Sequence, residues 1–122
     1  MPAVTNVLDM TVVDELIALC DDGDPELLID LIGMFLDDTP GKIESVLEGM
    51  RTGDLAKVER AAHSLKGSSG NLGARHLQDA CEQLQLLSHR GDLDGVRKTA
   101  AQLVPVFGDV RDALLQLRRR FS

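Results

Sequence analysis

The chemistry of this chain centres on His63, which stands in the stretch Ala-His-Ser-Leu-Lys-Gly at positions 62–67. Residues three and four apart are neighbours on a helix surface, so a helix here would place Lys66 and Gly67 beside the imidazole. A neutral imidazole is a nucleophile, and a cation one turn away would donate a charge-assisted hydrogen bond to an anion held on the ring. The spacing therefore suits a histidine that can accept a phosphoryl group, with Lys66 as the counter-charge and Gly67 as the open approach. From the spacing alone, an ordinary surface histidine stays the commoner alternative.

The helix that carries His63 must turn its other face towards a core. At about 100° per residue, His63 lies roughly 130° from the centre of the apolar stripe, which predicts an exposed ring. Gly67 and Gly70 share the face of the histidine, although glycine costs about 1 kcal/mol relative to alanine inside a helix. Such conflicts with local propensity are typical of functional sites. The apolar stripe consists of Leu55, Val58, Ala62, Leu65, Ser69 and Leu72.

Length and composition favour one helical domain. Of 122 residues, 43% are hydrophobic but only 2% are aromatic, which indicates an aliphatic core and helices rather than a sheet. We expect residues 1–8 to be a leader and residues 9–122 to form the domain. The net charge of −7 argues against a nucleic-acid partner. The chain lacks a signal-peptide pattern and a long apolar run, which predicts a cytoplasmic protein without a membrane partner.

Capping residues divide the N-terminal half into two helices. Thr11 is the predicted start of a short first helix, which the turn at 21–23 ends. Asp24 then begins a second helix. Pro40 stands within that helix, and because proline removes a backbone donor, we expect a kink or a break near Asp38.

Three further helices are predicted in the C-terminal half. Asp54 would cap the histidine helix, Gly73 would end it, and the turn at 90–92 would separate the fourth helix from the last. Apolar residues alternate in steps of three and four from Leu93 to Phe121, with a bend expected at Pro105. This pattern predicts an all-α, antiparallel four-helix bundle with an additional short N-terminal helix. The long last stripe leaves a dimerising coiled coil open.

No metal, nucleotide or other cofactor site is predicted. His63, His76 and His89 lack the spacing of metal ligands on a helix, and the acidic residues at 21–24 lack the pattern of a calcium loop. One nitrogen of the His63 ring still needs a partner that fixes its orientation. Gln85, on the predicted fourth helix, would reach the ring if that flank faces the histidine helix. Ser68 is a further candidate donor near the site.

The stretch from Ala62 to Gly73, together with Cys81-Glu82 and Gln85, resembles the signature of histidine-containing phosphotransfer (HPt) domains. The resemblance implies a four-helix bundle with an extra N-terminal helix. It implies phosphorylation of His63, stabilisation of the phosphoryl group by Lys66 and access over Gly67. Gln85 occupies the position of a glutamine that bonds the imidazole in some members of the family.

The same resemblance implies the partners. Response-regulator receiver domains and a hybrid sensor histidine kinase would exchange phosphate with His63, and any magnesium would come with the receiver. The chain would be a monomeric phosphocarrier without autokinase activity, and its docking surface would include Val12, Val13 and Leu16. Two alternatives stay open at this point. One is a non-catalytic helical adaptor or dimerisation module, and the other is a domain that only sequesters receivers.

Overall fold

Helices make up almost all of the computed structural model, which describes residues 3–20 and 24–121. Two short helices precede four long ones that pack in a closed ring, α3 on α4, α4 on α5, α5 on α6 and α6 on α3. Turns of two or three residues join the long helices, and such short connections make packed neighbours antiparallel. The predicted four-helix bundle is therefore confirmed. The helices are α1 (Val4–Val7), α2 (Met10–Ala18), α3 (Glu26–Thr52), α4 (Leu55–Asn71), α5 (Arg75–His89) and α6 (Leu93–Phe121).

The core is aliphatic, and each long helix contributes one face to it. The apolar stripe of α6 is buried along most of the helix, where α6 packs against α3 and α5. Because the bundle itself covers this stripe, it is not available for the dimerising coiled coil that the sequence left open. The buried residues of α6 are Val96, Ala100, Leu103, Val110, Ala113, Leu114 and Leu117.

Short polar side chains and glycine set the ends of α4. The Asp54 carboxylate accepts a hydrogen bond from the backbone N–H of Lys57 at 3.1 Å, so Asp54 caps α4 as predicted. Gly73 follows the end of α4 with a φ of 74°, a left-handed conformation that favours glycine. A Cβ atom on Gly73 would also lie 2.8 Å from the carbonyl oxygen of Asp9. The turn after the histidine helix therefore depends on glycine for two reasons.

The first residues of the described chain belong to the packed domain rather than to a leader. Val4, Val7 and Leu8 are buried in the core, and α1 packs against α6. The assignment of residues 1–8 to a leader is therefore corrected for this part. The physical reason is that three apolar side chains in a short segment gain enough from burial to dock on the bundle.

Asp9, not Thr11, is the N-cap of the helix α2. The Asp9 carboxylate accepts a hydrogen bond from the backbone N–H of Thr11 at 3.0 Å, and its own N–H donates to the carbonyl of Gly73 at 2.8 Å. Arg75 Nε donates to the same carboxylate at 2.6 Å, and this hydrogen bond holds the pKa of Asp9 below its ordinary value. The contacts of Asp9 with Gly73 and Arg75 hold Asp9 as the N-cap of α2, two residues before the position that the capping pattern predicted.

Proline does not break either of the two longest helices. A kink or a break was expected near Asp38, and because α3 continues through Pro40, the break is absent. Pro40 is exposed, while Thr39 and Ile43 on either side of it are buried, and packing of the buried face outweighs the lost backbone hydrogen bond. α6 likewise continues through Pro105. The turn predicted at 21–23 lies outside the described residues.

The length of α3 and α6 does not make them membrane spans. α3 has 27 residues and α6 has 29, and both are amphipathic. Within the described part of the chain, no helix joins sufficient length to sufficient apolarity to cross a membrane.

Candidate functional site

His63 lies on the face of α4 that points away from the core. Its neighbours Ala62 and Leu65 are fully buried, whereas His63 itself is exposed. Val58 and Ser69 are buried on the same stripe, so the core-facing side of α4 is the one that the sequence predicted. The imidazole thus projects into solvent from the middle of a packed helix, which holds its backbone in place.

Gln85 on α5 contacts the His63 ring. The Gln85 side-chain nitrogen Nε2 lies 3.0 Å from Nδ1 of the imidazole, a hydrogen-bond distance between residues 22 positions apart. The packing of α5 on α4 brings the two side chains together. One ring nitrogen is therefore engaged within the domain, and Nε2 of the ring is the nitrogen left for chemistry.

The amide of Gln85 suits either form of the ring. An amide offers both a donor and an acceptor, and which one faces the ring depends on the tautomer of His63. With the amide oxygen turned to the ring, Nδ1 carries the proton and Nε2 keeps its lone pair. With the amide nitrogen turned to the ring, Nδ1 is the acceptor. The Gln85 amide can therefore hydrogen-bond to the ring in either tautomer.

Lys66 follows His63 by three positions and is half-buried. Among residues 3–20 and 24–121, its ammonium group has no hydrogen bond or ion pair with another side chain. An uncommitted cation one helical turn from the ring is free to bind an anion there.

Gly67 and Gly70 lie on the same helix but in different surroundings. Gly67 is exposed, and a Cβ atom added to it would meet nothing within 4 Å. At Gly70, a Cβ atom would lie 2.8 Å from Nε2 of Gln78 on α5. Gly67 thus leaves open space beside His63, whereas a side chain at Gly70 would meet the movable end of Gln78. The access role of Gly70 stays a prediction.

Ser68 does not face the ring. Its hydroxyl donates to the carbonyl of Leu65 at 3.2 Å, within α4 itself. Its side chain lines a groove between α3 and α4, together with Phe35 and Leu72, and not the depression around His63. The prediction that Ser68 assists at the ring is corrected because five residues of helix rotate it about 140° away from His63.

Comparison with known proteins identifies the family of the chain. Residues 30–120 match the family model of the Hpt domain. The chain belongs to the Hpt-domain family. The matched range contains the whole of α4 and α5, and with them His63, Lys66 and Gln85. The helices α1 and α2 of this Hpt domain precede the match.

Named relatives and a solved structure agree with this family. The domain is 27% identical over 79% of its length to Multistep phosphorelay regulator 1 of Schizosaccharomyces pombe and covers 32% of that protein. It is 28% identical over 98% of its length to Histidine-containing phosphotransfer protein 1 of Oryza sativa and covers 87% of that protein. The crystal structure of histidine-containing phosphotransfer protein B from Pseudomonas aeruginosa superposes with a TM-score of 0.86 at 29% identity, covering 95% of this chain and 97% of that one. The chain therefore spans about a third of the fission-yeast relative and most of the other two.

The predicted docking residues on α2 of this Hpt domain are not equally accessible. Val12 and Leu16 are half-buried, but Val13 is only 1% exposed and packs in the core. Val13 is therefore corrected from a docking residue to a core residue. Val13 lies on the face of α2 that points to the core, whereas the preceding residue, Val12, is partly exposed.

Arg60 is the site residue that the sequence reasoning missed. The depression around His63 is lined by Ala56, Glu59, Arg60 and Gln85. Arg60 precedes His63 by three residues, so the spacing that singled out Lys66 could have found it on the other side of the ring. Glu59 is also near His89, whose Nδ1 lies 3.5 Å from the Glu59 carboxylate.

Proposed function

We propose that this Hpt domain relays phosphoryl groups between the aspartates of receiver domains in a multistep phosphorelay, with His63 as the phosphoacceptor. The observation that carries the proposal is an exposed imidazole whose Nδ1 is engaged by Gln85 and whose other nitrogen faces solvent. Family membership supports the class of reaction, and the exposed position of the ring supports Nε2 of His63 as the reacting atom.

The transfer step follows from this geometry. Nε2 of a neutral His63 attacks the phosphorus of an aspartyl phosphate, with the Nδ1 proton held by the amide oxygen of Gln85. A P–N bond forms while the acyl P–O bond breaks, and the electron pair of that bond leaves with the aspartate carboxylate. Attack by the carboxylate of a second receiver reverses these changes and frees the ring. Positioning and charge account for most of the catalysis in such transfers.

Lys66 and Gly67 support the phosphorylated ring in this proposal. The phosphoryl group is an anion, and the uncommitted Lys66 ammonium donates a charge-assisted hydrogen bond to it. The open space over Gly67 admits the part of the receiver that surrounds the reacting aspartate. Lys66 therefore stabilises the phosphoryl group on the ring, and Gly67 gives the receiver access to it.

The proposal extends to partners and state. The partners are response-regulator receiver domains and a hybrid sensor histidine kinase, and the domain acts as a cytoplasmic monomer. It has no autokinase activity, since its phosphate comes from another phosphoprotein. Val12 and Leu16 on α2 belong to the docking surface.

The decisive experiment measures whether a labelled phosphoryl group is transferred from a receiver domain to His63. A panel of receiver domains is phosphorylated with labelled acetyl phosphate and mixed with wild-type chain, with His63→Gln and with the matched control His76→Gln. Label should reach the wild type and His76→Gln, since His76 is an exposed residue of α5, and should not reach His63→Gln. Circular dichroism should report the same helical content for all three. Label on His63→Gln at the wild-type level would exclude His63 as the acceptor.

A further inference from the structure

Three basic side chains line one groove between α3 and α4. Lys42 on α3 and Lys57 and Arg60 on α4 form its walls, together with Asp38, Gly41, Ser45 and Ala61. Lys42 and Lys57 are half-buried and Arg60 is exposed. We call this feature, defined by Lys42, Lys57 and Arg60, the basic groove.

The cations of the basic groove are not neutralised by the protein. In the described part of the chain, none of these three side chains forms an ion pair, and Asp38 supplies the one carboxylate of the lining. Four other basic residues do lie beside carboxylates, namely Arg51, Arg75, Arg97 and Arg111. The chain as a whole carries a net charge of −7. The groove is therefore a local positive surface on an acidic protein.

Arg60 joins the basic groove to the His63 site. Its side chain lines the groove on one side and the depression that contains His63 and Gln85 on the other. A partner that reaches the His63 ring therefore passes within reach of the groove, and Lys66 adds a further unpaired cation beside the ring.

We propose that the basic groove is an electrostatic docking surface for the acidic contact face of the proteins that exchange phosphate with His63. This inference rests on the proposed function. The reacting group of such a partner is an acyl phosphate before transfer and a carboxylate after it, so the partner presents an anion in both directions. An excess of negative charge on this chain repels an acidic face in most orientations, and local cations favour the one orientation that leads to the ring. Charge of this kind acts mainly on the rate and orientation of encounter.

The test compares two pairs of cations that change the net charge equally. Lys42→Gln with Lys57→Gln removes two groove charges, and Arg119→Gln with Arg120→Gln removes two exposed charges at the end of α6. The receiver that labels the wild type fastest, phosphorylated with acetyl phosphate, serves as the donor. The second-order rate constant of transfer is measured between about 0.03 and 0.3 M salt, where the Debye length falls from roughly 18 to 6 Å.

The groove variant should lose about fivefold in the second-order rate constant at the lowest salt, and its dependence on salt should be flatter than that of the wild type. The α6 variant should stay within about twofold of the wild type. Lys42→Arg with Lys57→Arg, which keeps the charge, should restore the rate. Thermal melts of every variant should show that the bundle is intact.

Each other outcome contradicts the inference. Equal losses in the groove and α6 variants would mean that only net charge matters, and unchanged rates in both would remove the groove from docking. Binding of a labelled single-stranded oligonucleotide that depends on Lys42 and Lys57 while transfer does not would assign the groove to nucleic acid instead. If the wild type accepts phosphate from no receiver, the proposed function fails and the inference falls with it. If it accepts phosphate without regard to the groove, the proposed function stands alone.

Discussion

The two faces of α4 carry different kinds of residue. Val58, Ala62 and Leu65 are entirely buried and join α4 to the rest of the bundle, whereas His63 and Gly67 face solvent. The exposed face contains the residues that are proposed to take part in phosphoryl transfer. Under the proposed function, the residues that hold the fold and the residues that take part in phosphotransfer lie only one or two positions apart, so substitutions should separate stability from transfer.

The largest effect is expected on the buried face. Leu65→Ala removes a fully buried side chain and leaves a cavity, which should lower the free energy of unfolding by about 3 kcal/mol. Urea denaturation followed by circular dichroism measures the change. Ser64→Ala is the matched control, because Ser64 is the exposed neighbour and its change should stay within about 0.5 kcal/mol. Equal losses at the two positions would contradict the division of α4 into two faces.

A smaller effect, on function only, is expected at Lys66. Lys66→Gln removes the cation beside the ring, so transfer to His63 should slow by about tenfold and the phosphohistidine should hydrolyse faster. The stability of the fold should not change. Lys98→Gln, at an exposed position of α6, removes the same charge elsewhere and should leave both rates unaltered. A phosphohistidine lifetime that is identical in wild type and Lys66→Gln would remove the lysine from the mechanism.

The smallest effect is expected at Gly67, where a substitution should raise the stability of the fold and lower the rate of transfer. Gly67→Ala adds a methyl group in open space within a helix, which should raise the free energy of unfolding by about 0.5–1 kcal/mol. The same methyl group narrows the approach to His63 and should slow transfer.

Gly108→Ala is the control for Gly67→Ala, since Gly108 lies in α6 and is equally open. It should gain similar stability with no change in transfer. Transfer at the wild-type rate in Gly67→Ala would show that the space over this glycine is not needed for access.

The fold was largely predictable because its signals are local. The stripe along α4 follows from the spacing of Val58, Ala62 and Leu65, and Asp54 and Gly73 mark the ends of the helix by their capping chemistry. Two predictions were wrong at positions where contacts with residues far away in the sequence determine the structure. The burial of Val4 depends on docking against α6, and the position of Asp9 as the N-cap of α2 depends on its contacts with the α4–α5 turn.

The site was predictable to the extent that it lies on one helix. The spacing of His63, Lys66 and Gly67 already predicts a shared face. The contact of Gln85 with the ring required knowledge of how α5 packs on α4, which spacing does not give. Val13 was misplaced because the direction of α2 on the bundle cannot be deduced from a helix of nine residues.

A single ring on one outward helix face has a kinetic consequence for any relay that uses it. If His63 is the phosphoacceptor, every protein that exchanges phosphate with Nε2 of the ring must cover the same few side chains. The phosphate donor and the phosphate acceptor would then compete for one surface and bind one after the other. An excess of a receiver that takes no part in the transfer would then slow phosphoryl transfer between the donor and the acceptor by competing for the same surface. Under this scheme, the direction of phosphoryl transfer depends on the concentrations and phosphorylation states of the partner proteins, because all of them bind to the same ring.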